Sequence, residues 1–225
     1  MLRRDVVLAL ASVLAPALVA AGDLVPSLTV PRALELRLAW MDPLSAASGT
    51  EGIARAEVAR VLARMGVSVR WRRASAAEQA RPDELRVIFL DRAAERRKGT
   101  PVLGATPAHF LGEPFIWVHV PGVRSALGIS PRSLAANLDL HSMRALSIGL
   151  GRVIAHEIVH ALAPELPHGR GLMSAQLDSE QLTSAAIAFD PEVALAVRTA
   201  LLVGPPAPRL DDRVLAAQGA QDLRR

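Results

Sequence analysis

The stretch His156-Glu157-Ile158-Val159-His160 decides the fold class that we predict for this chain. It has the form H-E-x-x-H and lies inside a long apolar segment with the character of a buried central helix. Residues four apart on a helix lie on one face, so both histidines can direct their imidazoles at a single ion. Two neutral imidazoles suit Zn²⁺, and the glutamate beside the first of them suits a general base acting on water.

A catalytic zinc site needs a third protein ligand and a fourth position left for water. The helix is predicted to end just before Pro164, because proline breaks helices, and the chain then turns through residues 165–171. His168 lies in this turn, which can lead the chain back beneath the helix, and it is the preferred third ligand. The alternative is Glu180, twenty residues after His160, although an acidic residue in the first turn of a helix explains Glu180 as well.

These residues resemble the metzincin zinc peptidases, whose pattern H-E-x-x-H-x-x-G-x-x-H is followed by a turn that carries a methionine. The resemblance implies His156, His160 and His168 as zinc ligands, Glu157 as the base and Met173 as the methionine beneath the site. Seven residues separate the last two histidines, against five in the family pattern, and the glycine of that pattern is absent. The chain thus resembles a shorter, divergent bacterial group in which G-L-M soon follows the third histidine.

The apolar patterning and the resemblance together predict an α+β fold of the zincin or metzincin type. We expect a small mixed twisted sheet of about four strands packed on helices, the H-E-x-x-H helix, and a short helical C-terminal subdomain. The predicted strands are 34–40, 67–72, 85–90 and 115–120, and the further helices are 53–65, 179–189 and 191–202. In that family an antiparallel edge strand above the cleft can bind an extended substrate. Phe115–Val120 is the predicted counterpart, and its side chains suit an ordinary core strand equally well.

The composition excludes several functional classes. The chain contains no cysteine, which excludes disulfides, cysteine-based zinc fingers and thiol catalysis. Its net charge is +4, and aromatic residues make up 3% of the chain. A nucleic-acid binding surface needs a basic stripe with interleaved aromatic side chains, so no nucleic-acid partner is predicted. The predicted partner is a peptide or protein substrate, and the predicted cofactor is Zn²⁺.

The sequence is predicted to divide into a signal peptide, a catalytic domain and a Pro-rich disordered tail, at residues 1–22, 23–203 and 204–225. Arg3 and Arg4 precede an apolar run over residues 6–21, and small residues allow cleavage after Ala21 or Gly22. An uncleaved N-terminal membrane anchor is the alternative. A periplasmic or secreted location is expected, with no stable membrane insertion after cleavage.

The predicted function is therefore an exported zinc-dependent endopeptidase in which Glu157 acts as general base. Two alternatives stay open at this stage. One is a non-catalytic zinc-binding envelope module of the same fold, and the other is a gluzincin-like peptidase that uses Glu180 as third ligand. The presence of Glu157 favours catalysis, since metal binding alone does not need a base.

Overall fold

A computed structural model of the chain describes residues 34–79, 81–92, 102–106, 115–131, 133 and 137–203. The predicted signal peptide and the predicted tail lie outside the described residues, so both stay predictions. The elements follow in the order β1 (Leu34–Met41), α1 (Glu51–Ala63), β2 (Val67–Arg73), β3 (Glu84–Leu90), β4 (Gly104–Ala105), β5 (Phe115–His119), α2 (Val120–Ala126), α3 (Leu140–Leu162), a 3-10 turn (Gly171–Met173), α4 (Ser179–Thr183) and α5 (Pro191–Val203).

The strands form one mixed sheet in the order β2-β1-β3-β5-β4, which confirms the α+β class. All neighbours are parallel except β4 and β5, which are antiparallel. Alternation along β1 buries Leu36, Leu38 and Trp40 on one face. The apolar residues of this face belong to the same core cluster as those of α1 and α3, including Val58 and Ile154. The core therefore lies between the sheet and the helices α1 and α3, the second of which carries the H-E-x-x-H motif.

The predicted edge strand is wrong in position. β5 pairs in parallel with β3 on one side and antiparallel with β4 on the other, so Phe115–His119 is an interior strand. The antiparallel edge position belongs to Gly104–Ala105, a strand of two residues that is too short for an alternating pattern to reveal. The sheet consequently has five strands where about four were expected.

Helix α3 runs through the core and ends where predicted, with Ala163 as its C-cap. Among the described residues, α3 is the one helix that is long and apolar enough to cross a membrane. However, 72% of its most apolar 18-residue stretch is buried inside the fold. It crosses α1 closely at Gly151, where an added Cβ would lie 2.8 Å from the backbone oxygen of Ala54. Gly151 thus allows the two helices to pack closely.

The C-terminal helices differ from the prediction in one respect. α5 occupies the expected place, but α4 ends at Thr183 instead of continuing to Phe189. Arg152, which is 1% exposed, donates to the backbone oxygens of Gln181 and Ser184, so these carbonyls bind a guanidinium in place of further helical N–H groups. The chain beyond Ser184 is then free to run back towards the 3-10 turn.

Candidate metal centre

Three histidines from two segments converge at the C-terminal end of α3. His156 and His160 lie one turn apart on the helix, and His168 comes from the turn that follows it. The Nε2 atom of His160 is 3.1 Å from the Nε2 atoms of both His156 and His168. His156 is buried, His160 is half-buried and His168 is exposed, so the group opens to solvent on the side of His168.

The spacing of these nitrogens fits a zinc ion. Zinc–nitrogen bonds of about 2.0–2.1 Å at tetrahedral angles hold the ligand atoms roughly 3.3 Å apart. The observed separations of 3.1 Å lie close to that value. Three protein ligands would leave the fourth position for water or substrate, as catalytic zinc sites require. The donor set and its geometry therefore suit Zn²⁺.

The protonation state of His156 also suits a metal ligand. Its Nδ1 atom lies 2.6 Å from the backbone oxygen of Leu172. A carbonyl oxygen only accepts hydrogen bonds, so Nδ1 carries the proton and Nε2 keeps its lone pair for a cation. Burial lowers the pKa of His156, and burial together with the neighbouring histidines lowers the pKa of His160 to about 4. Both imidazoles are neutral near pH 7, the form that binds zinc.

The 3-10 turn Gly171–Met173 connects the two sides of the cluster. The oxygen of Leu172 accepts from His156, and the oxygen of Met173 accepts from the backbone N–H of Gly169, next to His168, at 2.7 Å. The N–H of Leu172 donates in turn to the oxygen of Ala188 at 2.7 Å. Met173 itself is 1% exposed within the core. The backbone of this turn thus orients a histidine of the helix and the loop that carries His168.

Glu157 is the titratable group placed for proton transfer. Its side chain is 6% exposed, and burial raises its pKa to about 7 while a hydrogen bond from Thr106 opposes the rise. The hydroxyl Oγ1 of Thr106 lies 2.8 Å from Oε2 of the carboxylate. Gly104 of β4 packs against the same side chain, next to Oε1 of the carboxylate. A buried carboxylate beside the histidine cluster is placed to accept a proton from water and to return it.

Glu180, the alternative third ligand, does not belong to the histidine cluster. Glu180 lies exposed in the first turn of α4, where Asp178 and Gln181 form a capping box. The group of potential metal ligands found among the described residues contains His156, His160 and His168 and no carboxylate. The first-turn explanation therefore accounts for Glu180.

No sequence pattern indicates the groups that contact Glu157 and His156. Thr106 and Gly104 follow no motif, and their proximity to Glu157 arises only when β4 pairs at the sheet edge. The Leu172 carbonyl is a backbone group that no residue type reveals.

The comparisons with known proteins bear on the fold. No protein-family model matches the sequence, and no curated protein matches it either. The crystal structure of archaemetzincin from Methanopyrus kandleri is similar, with a TM-score of 0.50 over 77% of this chain and 99% of that chain. Sequence identity is 12%, so the likeness establishes a fold of the archaemetzincin type and nothing about activity.

Proposed function

We propose that this chain is a zinc-dependent endopeptidase, with His156, His160 and His168 as zinc ligands and Glu157 as general base. The observation that carries the proposal is the convergence of three ring nitrogens at zinc-ligand spacing, on a helix that also buries a carboxylate of raised pKa. The fold shared with archaemetzincin supports it at the level of architecture.

Zinc bound there would supply a Lewis acid that polarises a peptide carbonyl and lowers the pKa of water. The chain's own contribution is proton transfer and orientation. Glu157 takes the proton from the attacking water and passes it to the amine nitrogen that leaves. Burial lowers the pKa of both His156 and His160, so near pH 7 the two rings are neutral, the form that binds zinc.

An extended peptide is the substrate class that suits the architecture. β4 lies at the edge of the described sheet, and an edge strand offers backbone N–H and C=O groups to an added strand. Thr106 follows β4 directly and contacts Glu157, so a peptide paired along β4 would pass the base. We assign to Gly104–Ala105 the substrate-binding role that the sequence had suggested for Phe115–Val120.

The test separates metal binding from hydrolysis. Glu157→Gln keeps the shape of the side chain and removes the base, so we expect zinc content to stay at the wild-type level. Hydrolysis of denatured casein should fall about a hundredfold or more. Glu180→Gln, which changes an exposed carboxylate on α4, is the matched control and should leave both quantities unchanged.

Two outcomes would refute this division of roles. One is a Glu157→Gln protein that hydrolyses casein at the wild-type rate, and the other is loss of zinc together with activity. A wild-type protein that binds zinc and hydrolyses nothing would instead support the non-catalytic module of the same fold.

A further inference from the structure

The edge strand β4 and the residue after it form the surroundings of the Glu157 carboxylate. β4 packs against α3, which brings Gly104 and Thr106 to the side chain of Glu157. Neither residue belongs to the histidine cluster. Gly104 and Thr106 therefore contact the base from outside the group of potential metal ligands.

Thr106 contacts Glu157 at two points. Its Oγ1 atom lies 2.8 Å from the carboxylate Oε2 and 3.0 Å from the backbone oxygen of the same residue. The single hydroxyl proton is shared between these two acceptors, so Thr106 lies between the carboxylate and the helix backbone from which it projects. Within the described part of the chain, this hydroxyl is the hydrogen-bond donor to a carboxylate that is 6% exposed. A hydrogen bond to a charged group is among the stronger ones in proteins, so it fixes the side-chain torsions.

Gly104 restricts the carboxylate next to its other oxygen, Oε1. A Cβ atom added to Gly104 would lie 2.7 Å from both Cγ and Oε1 of Glu157. Real Cβ atoms do not approach other heavy atoms so closely, so any side chain at position 104 would displace the carboxylate. Glu157 therefore occupies space that only glycine leaves open.

We propose that Thr106 and Gly104 are positioning residues that hold the Glu157 carboxylate in the orientation needed for proton transfer. The inference rests on the proposed function of Glu157 and adds two residues that lie outside the group of potential metal ligands. A base must sit within about 0.5 Å of its productive position, and a buried carboxylate without these contacts has other rotamers available.

The experiment uses the full chain loaded with zinc. Thr106→Val removes the hydroxyl at nearly constant volume, Thr106→Ser restores it, and Gly104→Ala adds the displacing Cβ. Thr199→Val and Gly52→Ala are matched controls, because Thr199 is exposed on α5 and an added Cβ at Gly52 meets nothing within 4 Å. Zinc content, urea unfolding, casein hydrolysis and the Kd of a peptidyl hydroxamate are measured for each. A hydroxamate chelates zinc and places its hydroxyl beside the base, so its Kd reports the carboxylate orientation without turnover.

For Thr106→Val we expect zinc content near that of the wild type, kcat reduced about ten- to a hundredfold, and KM little changed. The hydroxamate Kd should rise about tenfold. Thr106→Ser should recover most of the lost kcat and of the lost hydroxamate affinity. Serine lacks the methyl group of threonine, so recovery would show that the hydroxyl group is responsible. Gly104→Ala should lower kcat in the same way, and the two controls should match the wild type.

Wild-type kcat and wild-type hydroxamate affinity in both Thr106→Val and Gly104→Ala would overturn the inference. The proposed function would survive that result, provided that Glu157→Gln is inactive. Conversely, a wild-type protein that binds hydroxamate but does not hydrolyse casein refutes the peptidase and, with it, the role of Thr106 in proton transfer; a raised Kd in Thr106→Val would then show only that Thr106 holds the carboxylate. Absence of zinc and of hydroxamate binding in the wild type would refute both.

Discussion

Gly171 shapes the turn that supports the histidine cluster. Its φ of +58° is in the left-handed region that glycine adopts without steric cost. A Cβ atom at this position would lie 2.1 Å from the oxygen of Ala188, the same oxygen that accepts from the N–H of Leu172. Only glycine at position 171 therefore lets the turn approach the backbone of Ala188 closely enough for the Leu172 hydrogen bond. That bond fixes the Leu172 carbonyl, which orients His156.

Replacing Gly171 by alanine should therefore reduce both stability and zinc affinity. Gly128→Ala is the matched control, because Gly128 has a φ of +71° and open space where its Cβ would be. We expect the control to lower the free energy of unfolding by about 1 kcal/mol, the cost of the left-handed conformation alone. Gly171→Ala should cost about 3 kcal/mol or more and raise the zinc Kd, because the turn itself must move. Urea unfolding and zinc titration measure both. Equal effects of the two substitutions would contradict this account of the turn.

At the scale of elements, α1 and α3 cross at a point where only small residues fit. An added Cβ at Gly151 would lie 2.7 Å from Cβ of Glu57 and 2.8 Å from the backbone oxygen of Ala54. An added Cβ at Gly149, by contrast, would lie 3.2 Å from the side-chain end of Leu127 and 3.3 Å from that of Val123. These side-chain ends can move by the few tenths of an ångström that the contact requires. The two glycines of one helix therefore have different packing roles.

Gly151→Ala should separate the two helices and lower the free energy of unfolding by about 3 kcal/mol, in the upper range for an overpacked core. In Gly149→Ala, the higher helix propensity of alanine offsets the mild steric contact of the added Cβ. The free energy of unfolding should therefore change by no more than about 1 kcal/mol. Urea unfolding of both variants distinguishes them. If Gly149→Ala were the less stable of the two proteins, the close approach of α1 and α3 would not depend on Gly151.

A buried ion pair joins α1 to α3 next to this crossing. Nε of Arg152 donates to Oε1 of Glu57 at 2.9 Å, and the two side chains are 1% and 8% exposed. Burial alone would raise the pKa of Glu57, but hydrogen bonds from Arg60 and Arg152 outweigh it and lower the pKa. Arg152 also holds the end of α4, so the pair connects three helices.

The sign of the resulting pH dependence follows from the lowered pKa. Stability contributed by the Glu57 carboxylate is present above its unfolded pKa of 4.5 and is lost as pH falls through the lower folded value. Glu57→Gln should cost about 3 kcal/mol at pH 7, because it leaves the buried guanidinium without its counter-ion. The difference between wild type and variant should shrink below about pH 4. Urea unfolding across this range measures it, and a difference that stays constant down to about pH 3 would contradict the role of the ion pair.

For the whole molecule, the sequence predicted what depends on local periodicity and spacing. The H-E-x-x-H helix, the four longer strands and the place of His168 near the cluster all follow from patterns that a single segment carries. The edge strand β4 and the early end of α4 depend instead on contacts between distant segments. Thr106 reaches Glu157 across 51 residues and Arg152 reaches Ser184 across 32, separations at which no local pattern exists. The residues that orient the site were missed for this reason.

The zinc content of purified protein tests the three-histidine site, with the wild type measured beside His168→Ala, Glu180→Ala and His141→Ala. His141 is an exposed histidine on α3 and controls for the loss of an imidazole elsewhere. We expect about one zinc per wild-type chain, retained in Glu180→Ala and His141→Ala and lost in His168→Ala. Zinc that persists in His168→Ala and disappears in Glu180→Ala would contradict the three-histidine site.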